Sequence, residues 1–207
     1  MSPRVSAVSA PAGPGPSTPL RADAARNVAQ IRAAAIAAFH GRGLGTPLEE
    51  IAAAAGVSKA TVYNRFGGRA GLIDAVIGTL VAAEMYALID QAQGTAAPWA
   101  AIAGYVTGRR DLLYREPAFT DALLMTYPGS AQLAALARAA TEATVTLVRR
   151  GQDAGVIRPD FTAGDLYYAD VANGLALREL PGTTRADYDR RTRVFLDSLR
   201  GTGRPEG

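Results

Sequence analysis

The 207-residue chain contains no cysteine, which rules out disulfides, thiolate metal sites and cysteine nucleophiles. It has a single histidine, His40, too little for a histidine-built zinc site or a Ser-His-Asp triad. His40 falls at the end of the first predicted helix, where a solvated side chain complements the helix dipole. Neither metal nor cofactor is expected. Lysine is nearly absent: 21 of the 22 basic residues are arginine, which reads as the codon bias of a GC-rich genome before it reads as chemistry. No run of 18 uncharged apolar residues occurs, so neither a membrane span nor a membrane partner is expected. The opening MSPRVSAVSAPAGPGPSTPLR has prolines and glycines where a signal peptide needs an apolar run. It reads as a disordered tail over residues 1–20, and a reducing cytoplasm fits the missing cysteines. Period-2 alternation and internal repeats are also missing, so the expected fold is all-α.

What is present is ordinary in amount and uneven in place. Hydrophobic residues make up 48 % of the chain, and the net charge is +3. Residues 1–74 carry eight basic and four acidic side chains, while residues 75–207 carry fourteen and fifteen. The positive half is the half suited to face phosphate.

That half contains TPLEEIAAAAGVSKATVYNRF, Thr46 to Phe66. It reads as two short helices joined by a tight turn. Pro47 suits a helix start, and Leu48, Ile51 and Ala52 form one apolar face. Gly56 sits where the chain must turn, and Ser58 is a good N-cap. Val62 and Phe66 form the inner face of the second helix. Its outer face offers Lys59, Thr61, Tyr63, Asn64 and Arg65, groups that reach phosphates and base edges. Ala60 presents a small surface for entering a groove. Lys59 and Asn64 are the expected base readers, Tyr63 and Thr61 the expected phosphate holders. Arg69 and Thr46, each near a helix N-terminus, extend the predicted DNA-binding set, with Ser58 at the cap.

The same segment resembles the tetracycline-repressor (TetR) family of bacterial regulators. The resemblance begins with Ile31, Ala34, Ala35, Ile36, Phe39 and Gly43 and runs through IAAAAGVSKATVYNRF to Phe66, Arg69 and Leu72. Glu49 departs from it where many relatives are basic or neutral, as do Gly67 and Gly68 in the following linker. The resemblance implies an N-terminal three-helix DNA-binding domain and a divergent helical domain that dimerises and binds an effector.

The expected organisation is a tail (1–20), a helix-turn-helix domain (21–74, motif 47–66) and a helical domain (75–207), with about nine helices in total. The first helix is expected over 23–40, with Val28, Ile31, Ala35 and Phe39 as its stripe. The fourth, over 69–91, carries apolar pairs every four residues: Leu72/Ile73, Val76/Ile77, Leu80/Val81 and Leu88/Ile89. At roughly 100° per residue such a stripe drifts around the helix, as a connector between two cores requires. Further helices are expected over 97–115, 117–126, 130–154, 162–180 and 184–200, with a turn at Pro128-Gly129 and a capping pair at Thr162 and Asp165.

In the second domain, Trp99, Tyr105, Tyr114, Phe119, Met125 and Tyr127 are candidate pocket residues, because tyrosines supply both apolar wall and polar handles. Asp170 joins them as a polar group on an apolar row. Tyr168, Ala172, Leu175 and Ala176 on the eighth helix, and Tyr188, Thr192, Phe195 and Leu199 on the ninth, are candidates for a homodimer interface. These features suggest a dimeric repressor that reads a palindromic operator in double-stranded DNA and is released by a small molecule. A DNA-bound factor whose second domain docks a protein is the alternative. An enzyme fits worst, since Asp111, Glu116, Asp121 and Asp170 are scattered without a nucleophile or base at meaningful spacing.

Overall fold

The computed structural model describes residues 19–124, 127, 129–180 and 182–201, with side chains described from Asp23 onward. Of the expected tail, residues 1–18 lie outside the described residues, as do Met125 and Pro128. Among the described residues the fold is all-α, with nine helices: α1 (Pro19–Arg42), α2 (Leu48–Ala54), α3 (Lys59–Phe66), α4 (Arg69–Gly94), α5 (Pro98–Arg115), α6 (Pro117–Leu123), α7 (Ala131–Asp153), α8 (Ala163–Glu179) and α9 (Arg185–Leu199). The first helix starts four residues earlier than its apolar pattern predicts, since residues 19–22 add length without stripe. An isolated bridge pairs Ile157 with Arg200 and pins the end of α9 to the α7–α8 loop.

The N-terminal helices pack on one another through Ile31, Ala35 and Phe39 of α1, Leu48, Ile51 and Ala52 of α2, and Val62 of α3, all buried. Leu72, Ile73, Val76 and Ile77 of α4 close that core, and the same buried cluster continues through Val81, Met85 and Ile89 into the second half. The drifting stripe therefore runs along one continuous buried cluster, where the sequence suggested two cores, and it carries an added device. Residues Gly78–Ala82 form a π-helical turn, in which the Ala83 N–H donates to Gly78 O, five residues back. The wider turn re-phases the stripe as it passes between the two ends of the core. By length and composition α4 is also apolar enough to cross a membrane, although Asp74, Glu84 and Asp90 interrupt its apolar run. Its apolar residues Leu72, Ile73, Val76 and Ile77 are instead fully buried against protein.

A polar tie fixes α4 to α7. Ser130 caps α7 by accepting from the Leu133 N–H, and its own hydroxyl donates to Asp74. The Ala131 and Gln132 amides also donate to Asp74, at 3.3 and 3.2 Å. The Asp74 carboxylate thus sits at the positive end of a 23-residue helix, where a negative charge is stabilising. Asp74→Ala removes an ionised acceptor from these donors and is expected to lower stability by about 1.5–3 kcal/mol, read as a shift in the urea midpoint. An unchanged midpoint would show the tie to be incidental.

Candidate nucleic-acid interface and second-domain cavity

The turn between α2 and α3 sets the direction of α3. Ser58 accepts from the Thr61 N–H at 3.1 Å, and its hydroxyl lies 2.9 Å from that of Thr61. The Ser58 hydroxyl therefore caps the helix and bonds that of Thr61. Val62 points inward with no exposure, which turns Lys59, Ala60, Tyr63, Asn64 and Arg65 outward, where all are exposed. Tyr63 is 53 % exposed. Gly67 ends α3 at φ +72°. Gly68 follows at φ +103°, so close under the Tyr63 ring that a Cβ there would stand 3.2 Å from it. Gly68 thus leaves room for the Tyr63 ring, which a side chain there would crowd.

Lys59 is not free in this structure: its ammonium pairs with Glu49 across the α2–α3 turn. The hydrogen bond from Lys59 holds the Glu49 carboxyl below its ordinary range, and Glu49 in turn raises the Lys59 ammonium. Both side chains are exposed, and such pairs are worth little. Glu49 therefore acts as a local competitor for a cation that the sequence assigns to base reading.

Two predicted contacts sit elsewhere. Thr46 is only 4 % exposed. Its hydroxyl donates to Gly43 O at 3.0 Å and lies 3.4 Å from Ala38 O, so it closes the α1–α2 turn and does not present its side chain to phosphate. Arg69 directs Nη1 to Leu44 O and Thr46 O, at 2.6 and 2.7 Å, and its guanidinium lies 5.9 Å from the Tyr127 ring. It clamps the α1–α2 loop to the start of α4. The sequence signal for both, a polar residue beside a helix start, is the same for a phosphate contact and a loop clamp.

The second domain contains a cavity of about 340 Å³. Its wall is Met85, Phe119, Ala122, Leu123, Leu133 and Leu136, with Tyr167 and Tyr168 of α8 opposite. Of the predicted pocket aromatics, Phe119 lines it. Trp99 instead lies under the Arg200 guanidinium at 4.2 Å. Tyr114 packs on Tyr188 with ring centroids 5.3 Å apart. Tyr105 is buried beside the cavity, with its hydroxyl donating to Ala140 O at 3.1 Å. Tyr127 faces Arg69, and Met125 lies outside the described residues. Tyr105 and Phe119 are buried, while Trp99, Tyr114 and Tyr127 are half-buried; a helical period does not say into which part of the core a residue points.

Asp170 is fully buried and stands between two arginines. Arg109 Nη2 is 2.9 Å from Asp170 Oδ2, and Arg110 Nε is 3.4 Å from Oδ1. It therefore does not line the cavity. Burial pushes its carboxyl up from the ordinary range, against the pull of Arg109 and then Arg110. The residue that does line the cavity is Arg109, which the sequence reading did not single out. Its signal, an arginine inside the apolar face of α5, was present at i+4 from Tyr105.

The other acids considered for catalysis serve as links. Asp121 accepts from the Leu44 N–H at 2.7 Å, and Glu116 lies 2.8 Å from His40 Nδ1. Asp111 pairs with Arg115 and Arg185. His40 is thus exposed but tied to α6, where the sequence placed it in open solvent.

Of the predicted dimer residues, Tyr188, Thr192 and Leu199 are buried within the subunit. They pack α9 onto its own domain. Ala172 is exposed, and Leu175, Ala176 and Phe195 are half-buried. Tyr168 is 73 % and Val194 58 % exposed, so α8 and α9 keep an outward apolar face.

Residues 31–76 match the family of bacterial regulatory proteins of the tetR type, and residues 97–201 match the C-terminal domain of SbtR-like transcriptional regulators. None of the curated protein sequences compared with the chain matches significantly. Among solved structures, the TetR regulator SCO0520 from Streptomyces coelicolor is 29 % identical, covering 84 % of this chain and 99 % of its own, with a TM-score of 0.52. PfmR from Thermus thermophilus is 22 % identical over 84 % of this chain and 99 % of its own, with a TM-score of 0.60. The ketosteroid transcriptional regulator KstR2 of Mycobacterium tuberculosis is 18 % identical over 83 % of this chain and 94 % of its own, with a TM-score of 0.61. Sequence matches at both ends of the chain, together with the all-helical architecture, place the protein in the tetR family of DNA-binding transcriptional regulators, whose members are not enzymes.

Proposed function

We propose that this regulator is a homodimeric repressor that leaves its operator when a small molecule enters the second-domain cavity. The observation that carries this reading is the position of α6. One side of it, through Phe119, Ala122 and Leu123, is cavity wall. Its other side holds the first domain, through the Asp121 bond to Leu44 and, at its N-cap, the pairing of Glu116 with His40. A ligand that moves α6 acts on the end of α1, and with it on α3. It shifts the equilibrium only by its differential affinity for the two arrangements.

The DNA-facing residues in this reading are Lys59, Ala60, Thr61, Tyr63, Asn64 and Arg65, with Ser58 as cap. The outward apolar face of α8 and α9 supports pairing with a second copy. Two α3 helices would then enter successive major grooves of a palindrome, about 34–36 Å apart. A bacterial regulator of this kind works in the cytoplasm, where its DNA is. A protein partner in place of the small molecule is the weaker reading, because the cavity gives a ligand somewhere to go.

Asn64→Ala tests the base-reading assignment. On the upstream DNA of its own gene, measured by fluorescence anisotropy at fixed salt, the variant is expected to lose about 1–3 kcal/mol on the specific site. Its affinity for unrelated duplex should hold, since that term comes from phosphate contacts. Equal losses on both duplexes would move Asn64 from reading to positioning.

A further inference from the structure

We propose that the second-domain cavity takes a small apolar monoanion, a carboxylate whose tail lies along the aliphatic wall and whose head meets Arg109. This rests on the ligand-responsive reading above and names the chemistry of its ligand. Among the described residues that line the cavity, Arg109 is the one charged side chain; no carboxylate is among them. Arg109 is 5 % exposed, and its Nε–H has no hydrogen-bond acceptor. Nη1 donates to Tyr105 Oη at 3.2 Å, and Nη2 lies against Asp170.

The charge balance around it is unequal. Arg109 and Arg110 share the single carboxylate of Asp170. An arginine stays protonated in a protein, so this buried group carries excess positive charge whether Asp170 is ionised or not. A buried charge without a partner is unfavourable, and the nearby cavity is where a counter-charge fits. Three of the wall's hydroxyls, those of Thr141, Thr144 and Tyr167, do not compete for that role. The Thr141 and Thr144 hydroxyls donate to Ala137 O and Ala140 O, at 2.9 and 2.7 Å. The Tyr167 hydroxyl lies 3.3 Å from Leu123 O as its donor. These leave acceptor lone pairs, which suit no anion. The buried side-chain donor left without an acceptor is the Arg109 Nε–H, and a carboxylate paired with a guanidinium is among the stronger charge-assisted contacts. A cation would be repelled, and a neutral apolar molecule would leave the excess charge as it is.

The size limits the class further. A cavity of about 340 Å³ lies at the small end of ligand sites, roughly 300–1,000 Å³. Medium-length saturated acids are therefore the probes of choice. Calorimetric titration of the full chain with decanoate, 1-decanol and decylamine compares the same tail under three heads. Decanoate is expected to bind at least about tenfold more tightly than the alcohol, and the amine most weakly. Arg109→Met should abolish the preference for acid over alcohol and leave alcohol binding nearly unchanged. That variant retains the Arg110–Asp170 pair, so its buried charges balance. Arg109→Lys should keep the sign of the preference.

Equal affinities for acid and alcohol in the unaltered protein would overturn the proposal, and that comparison needs no variant. Survival of the preference in Arg109→Met would also overturn it, as would failure of every acid from about six to fourteen carbons to bind. DNA release is a separate readout. Decanoate that binds with the expected preference but leaves operator affinity unchanged would sink the ligand-released repressor and keep the anion site. An alcohol that binds as well as the acid and releases DNA would do the reverse.

Discussion

Gly71→Ala is expected to destabilise the protein by about 3 kcal/mol and to lower its DNA affinity at the same time. A Cβ at Gly71 would stand 1.8 Å from the carbonyl oxygen of Phe66, the last residue of α3. The obstacle is backbone, so no side-chain rotation relieves it. Either α3 or the start of α4 must move. Helix propensity alone predicts the opposite sign, since alanine is favoured over glycine within a helix by roughly 1 kcal/mol. The steric term wins because the two chains cross at van der Waals contact, and both are anchored: Leu72 and Ile73 beside Gly71 are fully buried, and Val62 fixes α3 from the other side. Urea unfolding reads the stability loss, and anisotropy on operator DNA reads the displacement of α3. A variant more stable than the parent would show that the α3–α4 corner yields freely.

Asp170→Ala is expected to be as damaging for a different reason. Removing one partner of a buried ion pair typically costs about 3–5 kcal/mol, because the other charge stays behind without compensation. Here two guanidiniums stay behind, on consecutive residues of α5. Among the described residues, Arg109's other partners are the Tyr105 ring and hydroxyl, with its guanidinium 5.3 Å from the ring centroid. Arg110 lies 4.1 Å over the Phe195 ring, a contact that persists and limits the loss on that side. Chemical denaturation of the variant measures the effect. A loss below about 1 kcal/mol would mean that water reaches the arginines and that the cluster is not dry. The same outcome would weaken the argument that the cavity needs an anion.

Much of the fold was readable from local pattern. The apolar spacing of Leu48, Ile51 and Ala52, the glycine at 56 and the serine cap at 58 predicted the α2–turn–α3 unit, because each acts within a few residues of itself. The exposure of Lys59, Tyr63 and Asn64 followed from Val62 being the inward residue of the same short helix. The migrating stripe of α4 matched a helix buried along much of its length in one continuous core, although nothing in the spacing announced its π-turn. Thr46 and Arg69 bond loop carbonyls, a role the sequence did not separate from phosphate contact because a polar residue near a helix start serves both. Of the described pocket candidates only Phe119 lines the cavity, since a helical period gives a face and not its neighbour.

The sequence by itself determined an all-helical chain with a basic reading head, because helix period, caps and turn glycines are local and additive. The cavity, its arginine and the α6 link between the two halves depend on residues far apart in the chain. Asp170 meets Arg110 across 60 positions, and Asp121 meets Leu44 across 77. Which helices touch is set by the packing of whole side-chain surfaces, and only the tertiary structure carries that.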